Sequence, residues 1–171
     1  MQVNDFKSMI IPFKDKMFRF ALRIAGNQFD AEDIIQEVMV KLWRKREQLM
    51  AVDNKEAWCM TVTRNMAIDW KRSKIKKFSE IENHTHISDK EATPAQSLEQ
   101  QEVSKMVQAC INELPEQQRE IIYLRDIEGY SYKEIAALTG KTVDQIKVQI
   151  YRGRQKLKDI ITKKNLWKPE K

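Results

Sequence analysis

Amide and cationic side chains share one face of a helical stretch near the end of the 171-residue sequence. Val143, Ile146, Ile150 and Leu157 recur there at helical spacing and predict a buried face. The opposite face carries the candidate DNA-binding residues Gln145, Lys147, Val148, Gln149, Arg152 and Arg154. Gln can bond adenine, Arg and Lys can bond guanine or phosphate, and Val can contact the thymine methyl group. This face therefore suits recognition of duplex DNA, although a lone basic helix is more often a solvated surface.

Two capping boxes set the geometry of this stretch. Ser131 is followed three residues later by Glu134, and Thr142 is followed in the same way by Gln145. Gly140 lies between the two boxes, where a tight turn would separate two helices. Two capped helices around a glycine turn are the pattern of a helix-turn-helix, whose second helix can enter the major groove. The pattern favours DNA binding over a solvated surface.

The charge distribution points to a polyanionic partner. The formal net charge is +6 and the pI is near 9.2. Residues 55–78 hold seven Lys or Arg against two acids, and residues 147–171 hold nine against two. Between them, residues 79–102 hold six acids against one base. The sequence therefore predicts two basic surfaces on either side of an acidic connector.

Residue types that suit catalysis or metal binding are sparse. The sequence contains no Gly-rich phosphate loop, no Ser-His-Asp set and no paired carboxylates in an apolar setting. It therefore gives no support to an enzymatic function. His84 and His86 lie in a polar stretch without a nearby Cys, and we expect no metal or cofactor there. Cys59 and Cys110 lie within apolar patterns and are expected to be buried thiols. Without a signal-peptide pattern or a membrane-length apolar run, we expect a cytoplasmic protein with no direct membrane insertion.

Helical periodicity covers most of the first half of the chain, where three or four helices are expected. The predicted landmarks are a short helix broken at Pro12, a longer helix ending at Gly26, a cap at Asp30, an irregular connection at 46–53, a cap at Asp53 or Asn54, and a helix end near Lys74. Residues 79–95 then lose the apolar period and are typical of a flexible linker.

A second group of helices follows. Its first helix begins near Ser97, and its predicted apolar side consists of Val103, Met106, Val107, Cys110, Ile111 and Leu114. Pro115 is expected at the first position of the next helix, and three short helices and a tail complete the chain. The sequence predicts an all-α protein with two small helical domains, residues 1–78 and 97–171, joined by a flexible acidic linker at 79–96.

Three segments resemble bacterial RNA polymerase sigma factors. Residues 114–129 (LPEQQREIIYLRDIEG) and 130–136 (YSYKEIA) resemble the promoter-binding C-terminal domain of that family. Response-regulator transcription factors share a similar helix-turn-helix, so the first half of the chain must decide between the two. Residues 30–43 (DAEDIIQEVMVKLW) resemble the sigma segment that binds the polymerase clamp, and residues 57–72 (AWCMTVTRNMAIDWKR) resemble the segment that opens the minus-10 element. With only two domains and a linker, the chain resembles the extracytoplasmic-function (ECF) subgroup.

The resemblance implies a role for each site. The acidic and amide stripe of Asp33, Gln36 and Glu37 would dock on the clamp of the largest polymerase subunit, although such a stripe alone is typical of a solvated face. The minus-10 strand would contact Trp58, Arg64, Asn65, Lys71, Arg72 and Lys74, where aromatic and basic residues interleave. Trp58 and Trp70 could equally belong to the core. The segment 46–53, with Asn65 beneath it, would form the pocket for a flipped base.

Two residues depart from the family's pattern. Lys141 stands where an apolar residue is usual in the turn, and Gly153 stands inside the second helix where Ala is usual. Glycine there would cost the helix roughly 1 kcal/mol of intrinsic propensity.

The expected function is to carry core RNA polymerase to promoter DNA and start transcription. The resemblance also admits an anti-sigma factor as a protein partner. A stand-alone regulator that binds DNA without polymerase is the main alternative, and an adaptor whose basic faces meet only proteins is another.

Overall fold

The computed structural model describes residues 2–80 and 98–166, and the chain divides into two compact units, Met1–Ala92 and Thr93–Lys171. Across the described residues the chain is helical without a strand, which confirms the predicted all-α class. Residues 81–96 of the predicted linker lie outside the described ranges, as does Ser97.

Four helices form the described part of the first unit: α1 (Val3–Ala25), α2 (Gln28–Arg44), α3 (Arg46–Ala51) and α4 (Lys55–Glu80). Helices α1, α2 and α4 pack against one another around one apolar core. The core includes Phe6, Ile10, Met17, Phe20, Ile34, Val38, Leu42, Leu49, Cys59 and Met60. Phe6 and Trp43 form an edge-to-face contact with ring centroids 5.2 Å apart, which joins α1 to α2. Lys16 and Glu56 form an ion pair at 2.6 Å that joins α1 to α4.

Pro12 lies inside α1 and does not break it, so the prediction of two helices there was wrong. Proline removes one helical hydrogen bond, but Pro12 is exposed, and water can bond the carbonyl that loses its partner. Ile10 and Met17 lie on the opposite side of the helix and are fully buried. Their burial keeps the helix continuous through the proline.

Helix α2 begins earlier than predicted. Its N-cap is Asn27, whose Oδ1 accepts a hydrogen bond from the backbone N–H of Asp30 at 2.9 Å. Asp30 therefore lies in the first turn of the helix, and the prediction that it caps the helix was wrong. The acid still suits this place, because a carboxylate in the first turn interacts favourably with the helix dipole.

The connection between α2 and α4 is more regular than predicted. Residues 46–51 form the short helix α3, which buries Leu49 against α2 and α4. Asn54, one of the two predicted caps, accepts a hydrogen bond from the Ala57 N–H at 2.9 Å at the start of α4. Helix α4 runs to Glu80, past the predicted end near Lys74, because no glycine or proline stops it.

The described part of the second unit contains α5 (Leu98–Asn112), α6 (Glu116–Ile122), α7 (Tyr132–Thr139) and α8 (Val143–Lys163), with a π-helical turn at Tyr123–Ile127, called the π turn below. Helix α8 packs against α5, α6 and α7. The core includes Cys110, Ile111, Leu114, Ile121, Ile122, Leu124, Ile135, Leu138, Ile146 and Ile150. Pro115 is the N-cap of α6 rather than its first helical residue. At 21 residues α8 is long, so the prediction of only short helices after Pro115 was wrong.

Half of the predicted apolar side of α5 is not buried. Cys110, Ile111 and Leu114 are in the core, as predicted, but Val103, Met106 and Val107 are exposed, Val103 by 57%. Among the described residues of the second unit, α5 packs mainly against α8, so its earlier turns are less covered than its last turn. These turns line a groove of about 490 Å³ together with Leu157, Ile161 and Leu166.

Gly153 is buried where α8 crosses α6. A Cβ atom built on it would lie 3.0 Å from Cγ1 and 3.3 Å from Cδ1 of Ile122, and 3.5 Å from Cβ of Gln118. The sequence indicated only the loss of helix propensity at this position. The structure adds a reason for glycine, because it lets the two helices approach closely.

Replacing Gly153 with Leu should therefore lower the free energy of unfolding by about 1–3 kcal/mol, the usual effect of overpacking. Chemical denaturation followed by circular dichroism measures the change. Gln155→Leu, at an exposed position of the same helix, is the matched control and should leave stability nearly unchanged. Equal stability of Gly153→Leu and the wild type would contradict the close contact.

Candidate functional site

The first capping box and the glycine turn adopt the geometry that the sequence predicts. Ser131 Oγ accepts the N–H of Glu134 at 3.2 Å, and Glu134 Oε2 accepts the N–H of Ser131 at 2.7 Å. Helix α7 ends at Gly140, whose φ of 70° is in the left-handed region that glycine adopts without strain. Helices α7 and α8 therefore form a helix-turn-helix.

The second capping box uses one of the candidate base-reading residues. Thr142 Oγ1 accepts the N–H of Gln145 at 3.2 Å, and Gln145 Oε1 accepts the N–H of Thr142 at 3.0 Å. The amide oxygen of Gln145 thus supports the start of α8, while its amide nitrogen can still donate to a base. Gln145 has a structural role in addition to its predicted role in recognition.

Helix α8 presents most of its predicted DNA-binding side chains to solvent. Ile146 and Ile150 are buried, as predicted, whereas Val143 and Leu157 are half-buried. The exposed members of the predicted set are Gln145, Lys147, Val148, Arg152 and Arg154, and Gln149 is half-buried. Tyr151 is also exposed on this helix. The solvent-facing side of α8 thus combines amide, cationic and apolar groups.

Arg154 is one of the predicted DNA-binding residues that already hold an anion within the protein. Its Nε and Nη2 donate to the carboxylate of Asp126 in the π turn at 3.2 and 2.5 Å. The hydrogen bond to Asp126 raises the pKa of the Arg154 guanidinium, which therefore keeps its positive charge. Arg154 links α8 to the π turn within the second unit.

An exposed stripe runs along α2 in the first unit. Asp33, Gln36 and Glu37 are exposed, as predicted. With 3.6 residues per turn, Phe29 and Val40 fall on the same side of the helix. Phe29 is 82% exposed and Val40 is 50% exposed. The sequence interpretation omitted these two apolar residues, although their spacing from Asp33 and Gln36 is the signal that could have found them.

The candidate minus-10 residues on α4 fall on more than one side of the helix. Trp58, Asn65 and Arg72 are seven residues apart and form one stripe, in which Asn65 and Arg72 are exposed and Trp58 is half-buried. Arg64 and Lys71 form a neighbouring stripe and are half-buried. The structure brings these five residues onto adjoining sides of one helix.

Lys74 lies farther round α4, in contact with α2. Its Nζ donates to Asp30 Oδ2 at 2.5 Å and lies 4.6 Å from the centre of the Trp70 ring. Asn27 also donates to Asp30 through its side chain. Burial raises the pKa of Asp30, but the hydrogen bonds from Lys74 and Asn27 and the charge of Lys74 outweigh it and lower the pKa. Lys74, predicted to meet phosphate, is thus already paired with a carboxylate.

Neither cysteine presents a reactive thiol at these surfaces. Cys59 and Cys110 are free and buried, as predicted. Burial, with a smaller contribution from the charge of Glu56, raises the pKa of Cys59 to about 11. Across residues 2–80 and 98–166 no group of His, Cys, Asp and Glu could hold a metal ion, and His84 and His86 lie outside these ranges. None of the described helices is long and apolar enough to cross a membrane.

Each of the two units matches the model of a known protein family. The model of sigma-70 region 2 matches residues 9–76, and the model of sigma-70 region 4 matches residues 104–157. These matches cover the exposed stripe on α2, the candidate residues of α4 and the helix-turn-helix. The class of protein that the fold and these sites define is the RNA polymerase sigma factor.

Known proteins narrow the class. The chain is 32% identical over 151 residues to the ECF RNA polymerase sigma factor SigE of Mycolicibacterium smegmatis. The aligned region covers 87% of this chain and 58% of SigE. It is 31% identical over 141 residues to the RNA polymerase sigma factor SigZ of Bacillus subtilis, which covers 80% of this chain and 75% of that protein. The chain belongs to the sigma-70 family, in its ECF subgroup, which confirms the resemblance found in the sequence.

Solved structures agree with this assignment. The sigma factor RpoE of Bartonella quintana, determined in complex with the anti-sigma factor NepR, matches with a TM-score of 0.78 and 27% identity, over 94% of this chain and 98% of that one. CnrH, determined in complex with the cytosolic domain of CnrY, matches with a TM-score of 0.66 and 20% identity, which supports the fold alone.

Proposed function

We propose that this chain binds core RNA polymerase and directs it to specific promoters, where transcription starts. The observation that carries the proposal is the occurrence in one chain of both sigma-70 regions, the second of them built on a capped helix-turn-helix. A stand-alone regulator needs no unit that matches region 2. The chain acts by binding and performs no catalysis, so protein–DNA contacts, and not ATP, supply the free energy for opening the promoter.

Helix α8 reads the minus-35 element in the major groove. Gln145 and Gln149 lie near its N-terminus, the end that enters the groove, and they bond base edges there. Val148 contacts a thymine methyl group, Lys147 bonds phosphate or guanine, and Arg152, farther along the helix, bonds phosphate. The exposure of these side chains, Gln149 in part, supports this assignment.

Helix α4 binds the minus-10 element and holds it open. Trp58 stacks on a base while Asn65 and Arg72, on the same stripe, bond the base and the phosphate backbone. Arg64 and Lys71 follow the backbone on the neighbouring stripe. A base flipped from the strand enters a pocket between α3 and Asn65, and opening is easiest at weakly stacked steps. Lys74 reaches phosphate only if DNA displaces Asp30 from it.

The exposed stripe of α2 docks on the clamp of the largest polymerase subunit. Asp33, Gln36 and Glu37 bond basic side chains of the clamp, and Phe29 and Val40 add apolar contact at the two ends of the stripe. Core polymerase and promoter DNA lie in the cytoplasm, so we place the chain there too. An anti-sigma factor is a further partner, by analogy with the RpoE complex with NepR.

The double substitution Asp33→Arg and Glu37→Arg should weaken assembly with core polymerase at least tenfold, because it places two cations against a basic partner (a loss of about 1.4 kcal/mol or more). Both sites are exposed, so helicity and thermal stability should not change. Pull-down of core subunits measures the effect. Asp15→Arg with Glu47→Arg makes the same charge change at exposed sites outside α2 and should assemble normally. Equal recovery of core by both double variants would refute this docking surface.

Gln149→Ala and Arg152→Ala should produce different defects in the holoenzyme. Loss of a base contact at Gln149 should cost roughly 1–3 kcal/mol at a matched promoter and relax the preference at one minus-35 position. Loss of a phosphate contact at Arg152 should weaken all promoters alike and reduce the salt slope of binding by about one. Promoter-library profiling at several salt concentrations separates the two defects. If Gln149→Ala left the sequence preference intact and Arg152→Ala changed it, α8 would be docked in another register.

A further inference from the structure

Two neighbouring residues of the π turn hold the two helices of the helix-turn-helix. Arg125 Nη1 donates to the carbonyl oxygen of Tyr130 at 2.8 Å, and its guanidinium lies 4.8 Å from the centre of the Tyr132 ring, in the first turn of α7. Asp126 accepts both hydrogen bonds from Arg154, halfway along α8. One dipeptide therefore contacts the start of the first helix and the middle of the second.

The π turn is itself held closed, so it is a firm support for these contacts. The N–H of Glu128 donates to the carbonyl oxygen of Tyr123 at 3.0 Å, and the Tyr123 hydroxyl donates to Glu128 Oε1 at 2.7 Å. A π turn carries one more residue than an α-helical turn, and such turns are frequent at functional sites. The wider turn lets Arg125 contact the α7 side while Asp126 contacts α8.

The contact between Gly153 and α6 restrains the rotation of α8 only weakly. Ile146 and Ile150 anchor its first turns in the core. At Gly153 the helix offers no side chain to interlock with Ile122, so the close contact limits the distance between α8 and α6 more than the rotation of α8. Arg154 is the next residue along the helix. Its two hydrogen bonds to Asp126 restrain the rotation of α8, which Gly153 cannot do because it has no side chain.

We propose that Asp126 is a positioning residue for minus-35 recognition. By holding Arg154 it orients α8, and with it the base-reading side chains of Gln145 and Gln149, in the major groove. In this arrangement Arg154 bonds Asp126 and does not contact phosphate. It would then orient α8 without binding DNA directly, unlike the role predicted from the sequence. The inference rests on the proposed function of α8.

The test uses holoenzyme assembled from the full chain and core RNA polymerase. Discrimination is the ratio of its affinities for a matched promoter and for one altered at minus-35. Asp126→Asn and Arg154→Gln should each lower discrimination about three- to tenfold, and the double variant should be no worse than either single variant, since both remove one interaction. The salt slope should stay at the wild-type value in Arg154→Gln, because no phosphate contact is lost. Asp126→Asn is nearly isosteric, and unchanged circular dichroism will verify its fold.

Asp159→Asn is the matched control, because it removes the same charge from an exposed site on α8 and should keep full discrimination. The inference is overturned if Arg154→Gln lowers the salt slope by about one while Asp126→Asn strengthens binding to all promoters. Those results would make Arg154 a phosphate contact that Asp126 restrains. Additive losses in the double variant would overturn it as well. A wild-type holoenzyme without any minus-35 preference would instead refute the proposed function of α8, and the inference with it, before any variant is compared.

Discussion

Helix α8 can present one side to the DNA that it is proposed to read because α6 supports its other side. Ile146, Ile150 and Gly153 are buried along that inner side, and a Cβ at Gly153 would lie 3.0 Å from Ile122 Cγ1. Burial of Ile146 and Ile150 turns the amide and cationic side chains of α8 towards solvent, and the close contact at Gly153 sets the distance between α8 and α6. Recognition of bases needs a helix that is held rigidly, because a small displacement of a side chain breaks its hydrogen bond to a base.

Helix α4 of the first unit meets two demands at once. It buries Cys59, Met60 and Ala67 against α1 and α2, and it carries the polar stripes that are proposed to bind the minus-10 strand. Because one side of α4 is buried in the core, fewer positions on the helix remain for cations that could contact DNA. Lys74 is a cation at such a position that already has a partner. It pairs with Asp30 at 2.5 Å, where it joins α4 to the start of α2. The ion pair thus engages one cation of α4 with a carboxylate of the same unit.

Local signals predicted much of this architecture, and the errors share a cause. Capping boxes at Ser131 and Thr142 act within one turn, so both could be located from sequence, and helical periodicity correctly placed Ile146 and Ile150 in the core. The continuous helix through Pro12 and the exposure of Val103 depend on which neighbouring helices are present, which periodicity does not reveal. The pairs of Arg154 with Asp126 and of Lys74 with Asp30 join residues 28 and 44 positions apart, so helical spacing could not reveal them. The DNA contacts of both cations stay predictions.

The central claim is that this chain opens promoters as part of RNA polymerase through binding energy alone. Permanganate footprinting measures it directly, because the reagent oxidises thymines only where the duplex is open. With core polymerase, this chain and a cognate promoter, thymines of the minus-10 element should become reactive without ATP, and neither core nor chain alone should have this effect. Reactivity that required ATP, or that was the same without the chain, would contradict the account.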